Sequence, residues 1–362
     1  MKAVFRLFYY ISILLTILLG IFTFLGGFAR WISPESSLLV SLAGLIIPVL
    51  LVLNFLVAIY WTARWRYWVF IPLVAIAWNW EYISNIYQIP HQVPTYKGDN
   101  VLTVGTYNVC SFSFDGPENI KANAISIAQY MQSQNVDILC LQECTLTKEQ
   151  PLDSIKAIFS YWPYSYLPQS PKGKSLLQLA VFSKYPIGKK ELRSFARTSN
   201  CSMWLDMDVK GKTLRIFNNH LQTTSYNQSK NNLKISHGLI GLLEDEEALF
   251  KLSTIFDKNF KERMQQVHQI RNLIDHSPHP ILVCGDFNSL PSSYSYHTIK
   301  GKTLKDGFNT CGQGYMYTYR RIKKLLRIDY ILYTPDMEGL DYFSPELDYS
   351  DHKPVIMRLK MK

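Results

Sequence analysis

The chain contains the stretch Ile281-Leu282-Val283-Cys284-Gly285-Asp286-Phe287-Asn288-Ser289. Its first four residues are apolar without interruption, which predicts a strand buried on both faces. The strand stops at Gly285 and is followed by an acid, an aromatic residue, an amide and a hydroxyl residue. Gly, Asp, Asn and Ser are also common turn residues, so by itself the stretch fits a plain turn equally well. Polar residues at the ends of other strands decide between these interpretations.

The 362 residues divide into two parts of different composition. The first 90 or so carry few charges and most of the long apolar runs, whereas the rest has the mixed composition of a soluble domain. Pro90, Pro94, Gly98 and Asp99 indicate a linker at residues 91–100. We therefore expect an all-α transmembrane anchor at residues 1–90 and a separate domain at residues 101–362.

Three apolar runs in the first part predict transmembrane helices at about residues 4–28, 38–61 and 67–83. The first run has Arg6 as its only charge and is long enough to cross a hydrocarbon core of about 30 Å. Its length and flanking residues differ from those of a signal peptide. The third run is shorter and contains Pro72, Asn79 and Glu81, so an interfacial helix is the alternative.

The short loops indicate the orientation of these helices. Lys2 and Arg6 precede the first run, and Arg64 and Arg66 lie between the second and third, which places both segments in the cytoplasm. With three spans, the chain is a multi-pass membrane protein whose second domain is extracytoplasmic, on the periplasmic side. With two spans, that domain is cytoplasmic. The six cysteines show no CxxC pairing and predict buried free thiols, which favours the cytoplasmic alternative.

Apolar strands alternate with helical segments in the second part. The predicted strands are residues 101–109, 136–143, 179–182, 203–209, 213–221, 281–284 and 355–359, with a further run at 327–333. Helical spacing predicts helices at residues 119–134, 150–159, 238–249 and 261–275. Segment 224–259 fits a lid, a lipid-contacting element or a simple insertion. Such strands and helices pack as layers, with strand ends gathered at one edge.

Several of these strands end in, or next to, a carboxylate, an amide or an imidazole. The residues are Asn108, Glu143, His220, Asp286, Asn288, Asp329, Asp351 and His352. Crowded carboxylates raise one another's pKa unless a cation neutralises them. Oxygen ligands without Cys or paired-His spacing favour Mg²⁺ or Mn²⁺ over Zn²⁺. A metal ion held by carboxylates, with imidazoles nearby, suits the attack of water on phosphorus.

The motifs around these residues resemble the ordered motif series of the endonuclease/exonuclease/phosphatase superfamily. They are Thr106-Tyr107-Asn108, Leu141-Gln142-Glu143, Asn219-His220-Leu221, Gly285-Asp286-Phe287-Asn288, Ile328-Asp329-Tyr330 and Ser350-Asp351-His352. The superfamily includes pancreatic-type deoxyribonucleases, abasic-site endonucleases, inositol polyphosphate 5-phosphatases, neutral sphingomyelinases and deadenylases. The resemblance covers about residues 101–359. It implies an α/β (α+β) fold, a four-layer αββα sandwich, and a Mg²⁺-dependent hydrolase of phosphate esters.

The resemblance also implies which residues hold the metal ion. Glu143 matches the principal ligand, and Asn108 and Asp351 complete the shell directly or through water. The proton of the attacking water is taken by the Asp matching Asp286 in some branches and by the last His, matching His352, in others. The sequence does not choose between them.

The remaining motif residues match groups that act on water or phosphate. Asp286 positions or deprotonates the attacking water, and Asn288 orients that water or the phosphate. His352 stabilises the phosphate oxygens, and Asp329 holds His352 in its working tautomer. His220 contacts the phosphate as charge develops in the transition state.

Several substrate classes fit the sequence. His220-Leu221-Gln222 resembles the sphingomyelinase and deadenylase branches more than abasic-site nucleases, where an amide is expected. The membrane spans favour a phospholipid head group, with the bilayer as partner. A membrane-tethered nuclease acting on DNA or RNA fits the net charge of +10. An inactive binding scaffold is the alternative from another class, and the presence of every motif residue argues against it. No protein partner is predicted.

Overall fold

The computed structural model describes residues 2–91, 101–145, 151–169, 178–224 and 246–361. The chain forms two compact units. The first consists of Met1–Asn85, Ser225–Met264 and Ser289–His297, and the second of Ile86–Thr224, Gln265–Asn288 and Thr298–Lys362. Two segments predicted to belong to the second domain thus pack with the amino-terminal helices. The predicted boundary lies almost wholly outside the described residues, and the division at 91–100 stays a prediction.

The amino-terminal part of the first unit consists of helices. They are α1 (Lys2–Phe28), α2 (Leu38–Leu45), α3 (Ile47–Ala63), α4 (Phe70–Trp78) and α5 (Trp80–Ile86), with a 3-10 turn at Tyr67–Val69. The first predicted run is one uninterrupted helix. The second bends by 67° between α2 and α3, beside Pro48, which favours a helix start because it lacks an N–H group. The third run is interrupted at Asn79.

By length and composition, Ala3–Phe28 is able to cross a membrane, a property that a signal sequence near the amino terminus shares. The bent pair α2 and α3 passes the same criterion if it is counted as one span. Tyr67–Trp78 is a shorter apolar helix. Among the described helices there are therefore one or two candidate spans by this criterion, instead of the two or three that were predicted.

Two six-stranded sheets form the centre of the second unit. The strands of this unit are β1 (Tyr87–Gln88), β2 (Val101–Asn108), β3 (Ile138–Gln142), β4 (Tyr164–Tyr166), β5 (Ala180–Ser183), β6 (Ile187–Ser194), β7 (Cys201–Val209), β8 (Lys212–His220), β9 (Ile281–Asp286), β10 (Lys305–Asp306), β11 (Gly314–Tyr315), β12 (Asp329–Tyr333), β13 (Met337–Phe343) and β14 (Val355–Met361). The first sheet has the order β13-β14-β2-β3-β5-β4 and the second β10-β12-β9-β8-β7-β6, while β1 pairs with β11.

Helices accompany both sheets. They are α6 (Ile120–Ser133), α7 (Leu152–Ile158), α8 (Glu246–Asp275), α9 (Tyr294–Lys300) and α10 (Gly307–Cys311). The two sheets lie between helices, so the predicted α/β fold with a sandwich of two sheets is confirmed. The predicted helix at 238–249 lies mostly outside the described residues. The one predicted at 261–275 is the second half of the longer helix α8.

The apolar runs are continuous because both faces of the central strands are buried. Ile138 and Cys140 of β3 belong to the core between the sheets, whereas Leu139 and Leu141 pack in the core that includes α6. Alternate side chains of a strand point to opposite faces, so a strand covered on both sides needs apolar residues at every position. All six cysteines are free thiols, as predicted, and five of them are buried.

The four edge strands of the two sheets were not predicted. They are β4, β6, β10 and β13. Strand β6 contains Lys189, Lys190, Glu191 and Arg193 and is partly exposed along its length. Edge strands carry charged side chains that discourage pairing with other chains, so they lack the uninterrupted apolar run that revealed the interior strands.

The first half of α8 packs within the first unit. Ala248, Leu252, Phe256 and Phe260 form one apolar cluster with Leu38, Leu42 and Leu45 of α2. These α8 positions recur at intervals of four residues, which places them on one face of the helix. The described part of the predicted insertion at 224–259 is therefore helical, and its apolar face is covered by residues of the amino-terminal helices.

Candidate active site

The predicted residues meet where strands of both sheets begin or end. Strands β2 and β3 are parallel, as are β8 and β9, so their carboxyl ends lie side by side. These four ends carry Asn108, Glu143, His220 and Asp286. Strand β12 is antiparallel to β9, and its first residue, Asp329, is directly opposite Asp286. The prediction that strand ends gather their polar residues at one edge is confirmed.

Hydrogen bonds join the buried residues Asn108 and Asp286 with the partly exposed Glu143. Asn108 Nδ2 donates to Glu143 Oε1 and to Asp286 Oδ2, each at 3.1 Å. The Asn108 oxygen accepts the N–H of Cys110 at 3.1 Å. His220 Nε2 lies 3.6 Å from Glu143 Oε1 and 3.7 Å from Asp286 Oδ2. One amide and one imidazole therefore bridge two carboxylates that would otherwise repel each other.

His352 lies between two carboxylates. Its Nδ1 is 2.9 Å from Asp329 Oδ2, and its Nε2 is 3.7 Å from Asp286 Oδ2. The backbone N–H of His352 donates to Ser350 Oγ, which itself donates to the carbonyl of Asn108. The imidazole is thus fixed by contacts on both the side chain and the backbone.

The turn after β9 holds Asp286 and Asn288 together. Asn288 N donates to Asp286 Oδ1 at 2.8 Å, and Asn288 Nδ2 donates to the carbonyl of Leu221 at 3.0 Å. Gly285 has φ +128°, and a Cβ at this position would lie 2.0 Å from the carbonyl oxygen of Asn219. Glycine is required here, because any side chain would collide with β8.

Asp351 has a different partner from the other predicted site residues. Its Oδ2 accepts Arg321 Nε at 2.8 Å. Asp351 and Glu143 both act on the thiol of Cys110, whose pKa is raised to about 12 by burial and by these two carboxylates. The structure therefore places Asp351 next to Cys110 and Arg321.

The electrostatics of the centre follow from burial and from charge pairing. Burial raises the pKa of the Asp286 carboxyl, and the neighbouring Asp329 adds to this effect, although His352 and His220 oppose it. For His352, burial lowers the pKa, but attraction to Asp329 and Asp286 outweighs burial and raises it to about 10. The imidazole of His352 is therefore positively charged at neutral pH and donates from both nitrogens.

The donor set fits a divalent cation. Asp286 and Asp329 each offer a carboxylate oxygen, and these atoms lie within 4.8 Å of one another and of a ring nitrogen of His352. Because the His352 ring is protonated, it is a hydrogen-bond donor in this group and the carboxylates are the ligands. Asp329 Oδ1 is buried and has no hydrogen-bond partner among the described residues, so a cation would satisfy an otherwise orphaned acceptor. With Glu143 nearby, the set is dominated by carboxylate oxygens, which hard divalent ions prefer.

Three contributors to this region were not predicted from the sequence. Thr318 Oγ1 accepts the backbone N–H of Ile328 and of Asp329, and so fixes the start of β12. Tyr319 stacks edge-on against His352 with ring centroids 5.0 Å apart. Arg321 binds Asp351. Their residue types carry no local signal, because their roles depend on pairing with distant segments.

A family model described as the endonuclease/exonuclease/phosphatase family matches residues 105–352. The chain belongs to this family. Its members are phosphoesterase hydrolases that generally depend on a divalent metal ion, which agrees with the acid-rich centre. The matched residues contain each of the eight predicted site residues. A second model, described as a domain of unknown function (DUF8431), matches residues 6–86. No curated protein matches the chain.

Solved structures share the fold of the family at low sequence identity. D. rerio TDP2 humanized by 14 mutations has 15% identity and a TM-score of 0.52, over 73% of this chain and 100% of that one. The human Nocturnin catalytic domain with a bound sulfate anion has 17% identity and a TM-score of 0.50, over 74% and 97% of the two chains. These similarities show the fold.

Proposed function

We propose that the chain is a membrane-anchored, Mg²⁺-dependent phosphoesterase that hydrolyses a phosphodiester or phosphomonoester. The observation that carries this proposal is the direct contact of Asn108, Glu143, His220 and Asp286 at the ends of four strands. Glu143, with Asn108 and Asp351, is proposed to hold the metal ion. When bound, such an ion neutralises charge on phosphoryl oxygens.

The proton of the attacking water is proposed to pass to Asp286. Carboxylates face both nitrogens of His352, which keeps that ring protonated and makes it a donor to phosphate oxygens. Asp329 holds the ring in place through Nδ1. Asn288 is bonded to the Asp286 carboxylate and orients the attacking water. His220 contacts the phosphate as negative charge develops on it in the transition state.

Substitution of the central residues tests this assignment. We expect Glu143→Ala and His352→Ala to reduce Mg²⁺-dependent hydrolysis of bis(p-nitrophenyl) phosphate by at least about 100-fold, since each removes a charged contact to the reacting group. The measurement uses the full-length protein in detergent, and EDTA should abolish wild-type activity. Glu338→Ala and His276→Ala, both at exposed positions, are the matched controls. Full activity in either site variant would refute the assignment.

Membrane anchoring is proposed to involve three crossings. Contacts between the third apolar run and α1 support this, because they recur along the length of α1. The pairs within α1 are Trp68 with Tyr9 and Asn79 with the carbonyl of Thr23, and Glu81 pairs with Arg30 in the turn that follows α1. Tyr9 and Thr23 are 14 residues apart, about 21 Å along α1, and Arg30 follows the end of that helix, so the contacts cover most of a hydrocarbon core of about 30 Å.

Hydrogen bonds between α1 and α3 also support a bundle within the bilayer. Asn54 Nδ2 donates to Thr23 Oγ1 at 2.6 Å, and Trp61 Nε1 donates to Thr16 Oγ1 at 2.8 Å. Polar side chains bond across helices in this way in membranes. Three crossings would place the catalytic domain opposite the cytoplasmic amino terminus. A reporter fused after Lys362 that works only in an oxidising compartment tests this, and an inactive reporter there would favour two crossings.

A parallel assay distinguishes nucleic acid from phospholipid as the substrate class. The same preparation with Mg²⁺ is given plasmid DNA, RNA and mixed phospholipid vesicles, and the substrate cleaved at the lowest enzyme concentration identifies the class. Cleavage of lipid alone would favour the sphingomyelinase-like alternative, and cleavage of nucleic acid the nuclease alternative. Absence of hydrolysis of every substrate, together with retained folding, would support the inactive scaffold.

A further inference from the structure

A hairpin rich in cations lies directly beside His352. It comprises residues 319–326, with the sequence Tyr-Arg-Arg-Ile-Lys-Lys-Leu-Leu, and is called the basic hairpin below. Tyr319 forms backbone bridges with both Leu326 and His352. Arg320 N donates to the carbonyl of Asp351 at 2.9 Å. The base of the hairpin is therefore fixed to the segment that carries two of the predicted site residues.

Two of its four cations have partners that hold the hairpin in place. Arg320 Nη1 donates to the carbonyl of Leu347 at 2.7 Å, and Arg320 Nη2 forms an ion pair with Asp348. Lys324 Nζ lies 5.5 Å from the ring centroid of Tyr317. Arg320 therefore holds the hairpin against residues 347–348, and Lys324, although exposed, lies against the ring of Tyr317.

The other two cations face solvent. Arg321 uses Nε to bind Asp351, its side chain is 50% exposed, and no described residue bonds its terminal nitrogens. Lys323 is exposed and has no ion pair or hydrogen bond with a described residue. A guanidinium that uses Nε alone keeps four N–H donors, which are arranged to bind a phosphate at two points.

An aromatic ring accompanies these cations. Phe114 lies under Arg321, with the guanidinium carbon 5.6 Å from the ring centroid, and the side chain of Phe114 is 37% exposed. Cations that follow a phosphate backbone, combined with exposed rings on which bases stack, are the features by which proteins bind single-stranded nucleic acid.

We propose that Arg321 and Lys323 bind a phosphate next to the one that is hydrolysed, so that the substrate is a single-stranded nucleic acid. This inference rests on the proposed function and adds its substrate class. Phe114 provides the stacking surface for a base beside that second phosphate. Arg321 is a binding residue in this assignment and also orients Asp351.

Lys323→Gln tests the contact with the second phosphate separately from catalysis, because Lys323 does not touch any of the predicted site residues. KM for a single-stranded oligonucleotide is expected to rise about three- to tenfold at low salt. The slope of log(kcat/KM) against log[salt] should fall in magnitude by about 0.7, the value for one phosphate contact on a single strand. Hydrolysis of bis(p-nitrophenyl) phosphate, which has one phosphate, should be unchanged. The matched control is Lys210→Gln/Lys212→Gln, at exposed positions at the other end of β8 from His220, and both substrates should be unaffected.

Arg321→Gln separates binding from orientation of Asp351. If Arg321→Gln lowers activity more on the oligonucleotide than on bis(p-nitrophenyl) phosphate, the contact with the second phosphate is supported. Equal losses of activity on both substrates mean that Arg321 acts only through Asp351, which overturns its assignment to the second phosphate. The inference as a whole is overturned if Lys323→Gln leaves oligonucleotide kinetics unchanged, if it affects only phospholipid vesicles, or if the wild type cleaves bis(p-nitrophenyl) phosphate but no oligonucleotide. Activity in His352→Ala would instead overturn the proposed function.

Discussion

The buried ion pair of Arg327 and Asp306 allows a quantitative test of what holds β12 in place. Both side chains are fully buried, and Arg327 Nη2 lies 2.6 Å from Asp306 Oδ1. Three rings, those of Phe308, Tyr330 and Tyr342, lie 4.7 to 5.7 Å from the guanidinium carbon. Asp306 also caps α10, since its side chain accepts the N–H of Phe308. Arg327 is two residues before Asp329, so the pair supports the candidate active site.

Asp306→Asn should lower the free energy of unfolding by about 3 kcal/mol, because it leaves the buried Arg327 guanidinium without its carboxylate. Asparagine remains a good helix cap, so the cap is kept. This loss is at the lower end of the range for a broken buried ion pair, because the three rings stabilise the Arg327 cation. Asp306→Ala also removes the cap and should cost about 4 kcal/mol. Asp306→Ala/Arg327→Met removes the unpaired charge as well, and should cost only about 1–2 kcal/mol relative to the wild type.

Thermal unfolding of the full-length protein in detergent, followed by intrinsic fluorescence, measures these changes. For a domain of about 150–250 residues, each kcal/mol lowers Tm by about 2–4 °C, so Asp306→Ala should lower it by roughly 8–16 °C. The double variant should recover at least about half of that loss. If the double variant were as unstable as Asp306→Ala, or if Asp306→Asn had the wild-type Tm, the pair would not be what stabilises this region.

Two further predictions concern Gly285 near the end of β9 and the protonation of His352. Gly285→Ala should lower the free energy of unfolding by about 3 kcal/mol or more, because it combines an unfavourable φ with a collision against Asn219. The control is Gly211→Ala, at φ +82° with open space around it, which should lower it clearly less in the same denaturant titration. In EDTA, Tm of the wild type should fall as pH rises from about 6.5 to about 10. The pKa of His352 is higher in the folded protein than its unfolded value of 6.5, so the protonated ring adds stability that is lost when the ring is deprotonated. Asp329→Asn removes the strongest attraction that raises this pKa and should flatten the profile; an equally steep profile in that variant would contradict the role of Asp329.

The interior of the fold was predictable from the sequence because burial on both faces leaves a local signature. The runs that became β2, β3, β8 and β9 are apolar at consecutive positions, and each ends in a polar residue. The edge strands β4, β6, β10 and β13 lack this signature, since one side of each has no neighbouring strand. Their place depends on pairing with a distant strand, which local composition does not encode.

The chemical character of the site was also present in the sequence, in motifs that place Glu143, Asp286 and His352 at strand ends. Which groups touch was decided by the tertiary structure. The 2.9 Å contact of Asp329 with His352 and the bridging of Glu143 and Asp286 by Asn108 require strands from both sheets to meet.

By itself, the sequence determined the buried strands, the acidic and imidazole groups at their ends, and the apolar helices at the amino terminus. Only the tertiary structure placed Arg321 beside Asp351 and packed Phe256 of α8 with the helix α2. The physical reason is range: side-chain periodicity is set by neighbours a few residues apart, whereas these contacts join segments that are brought together only when the strands and helices pack.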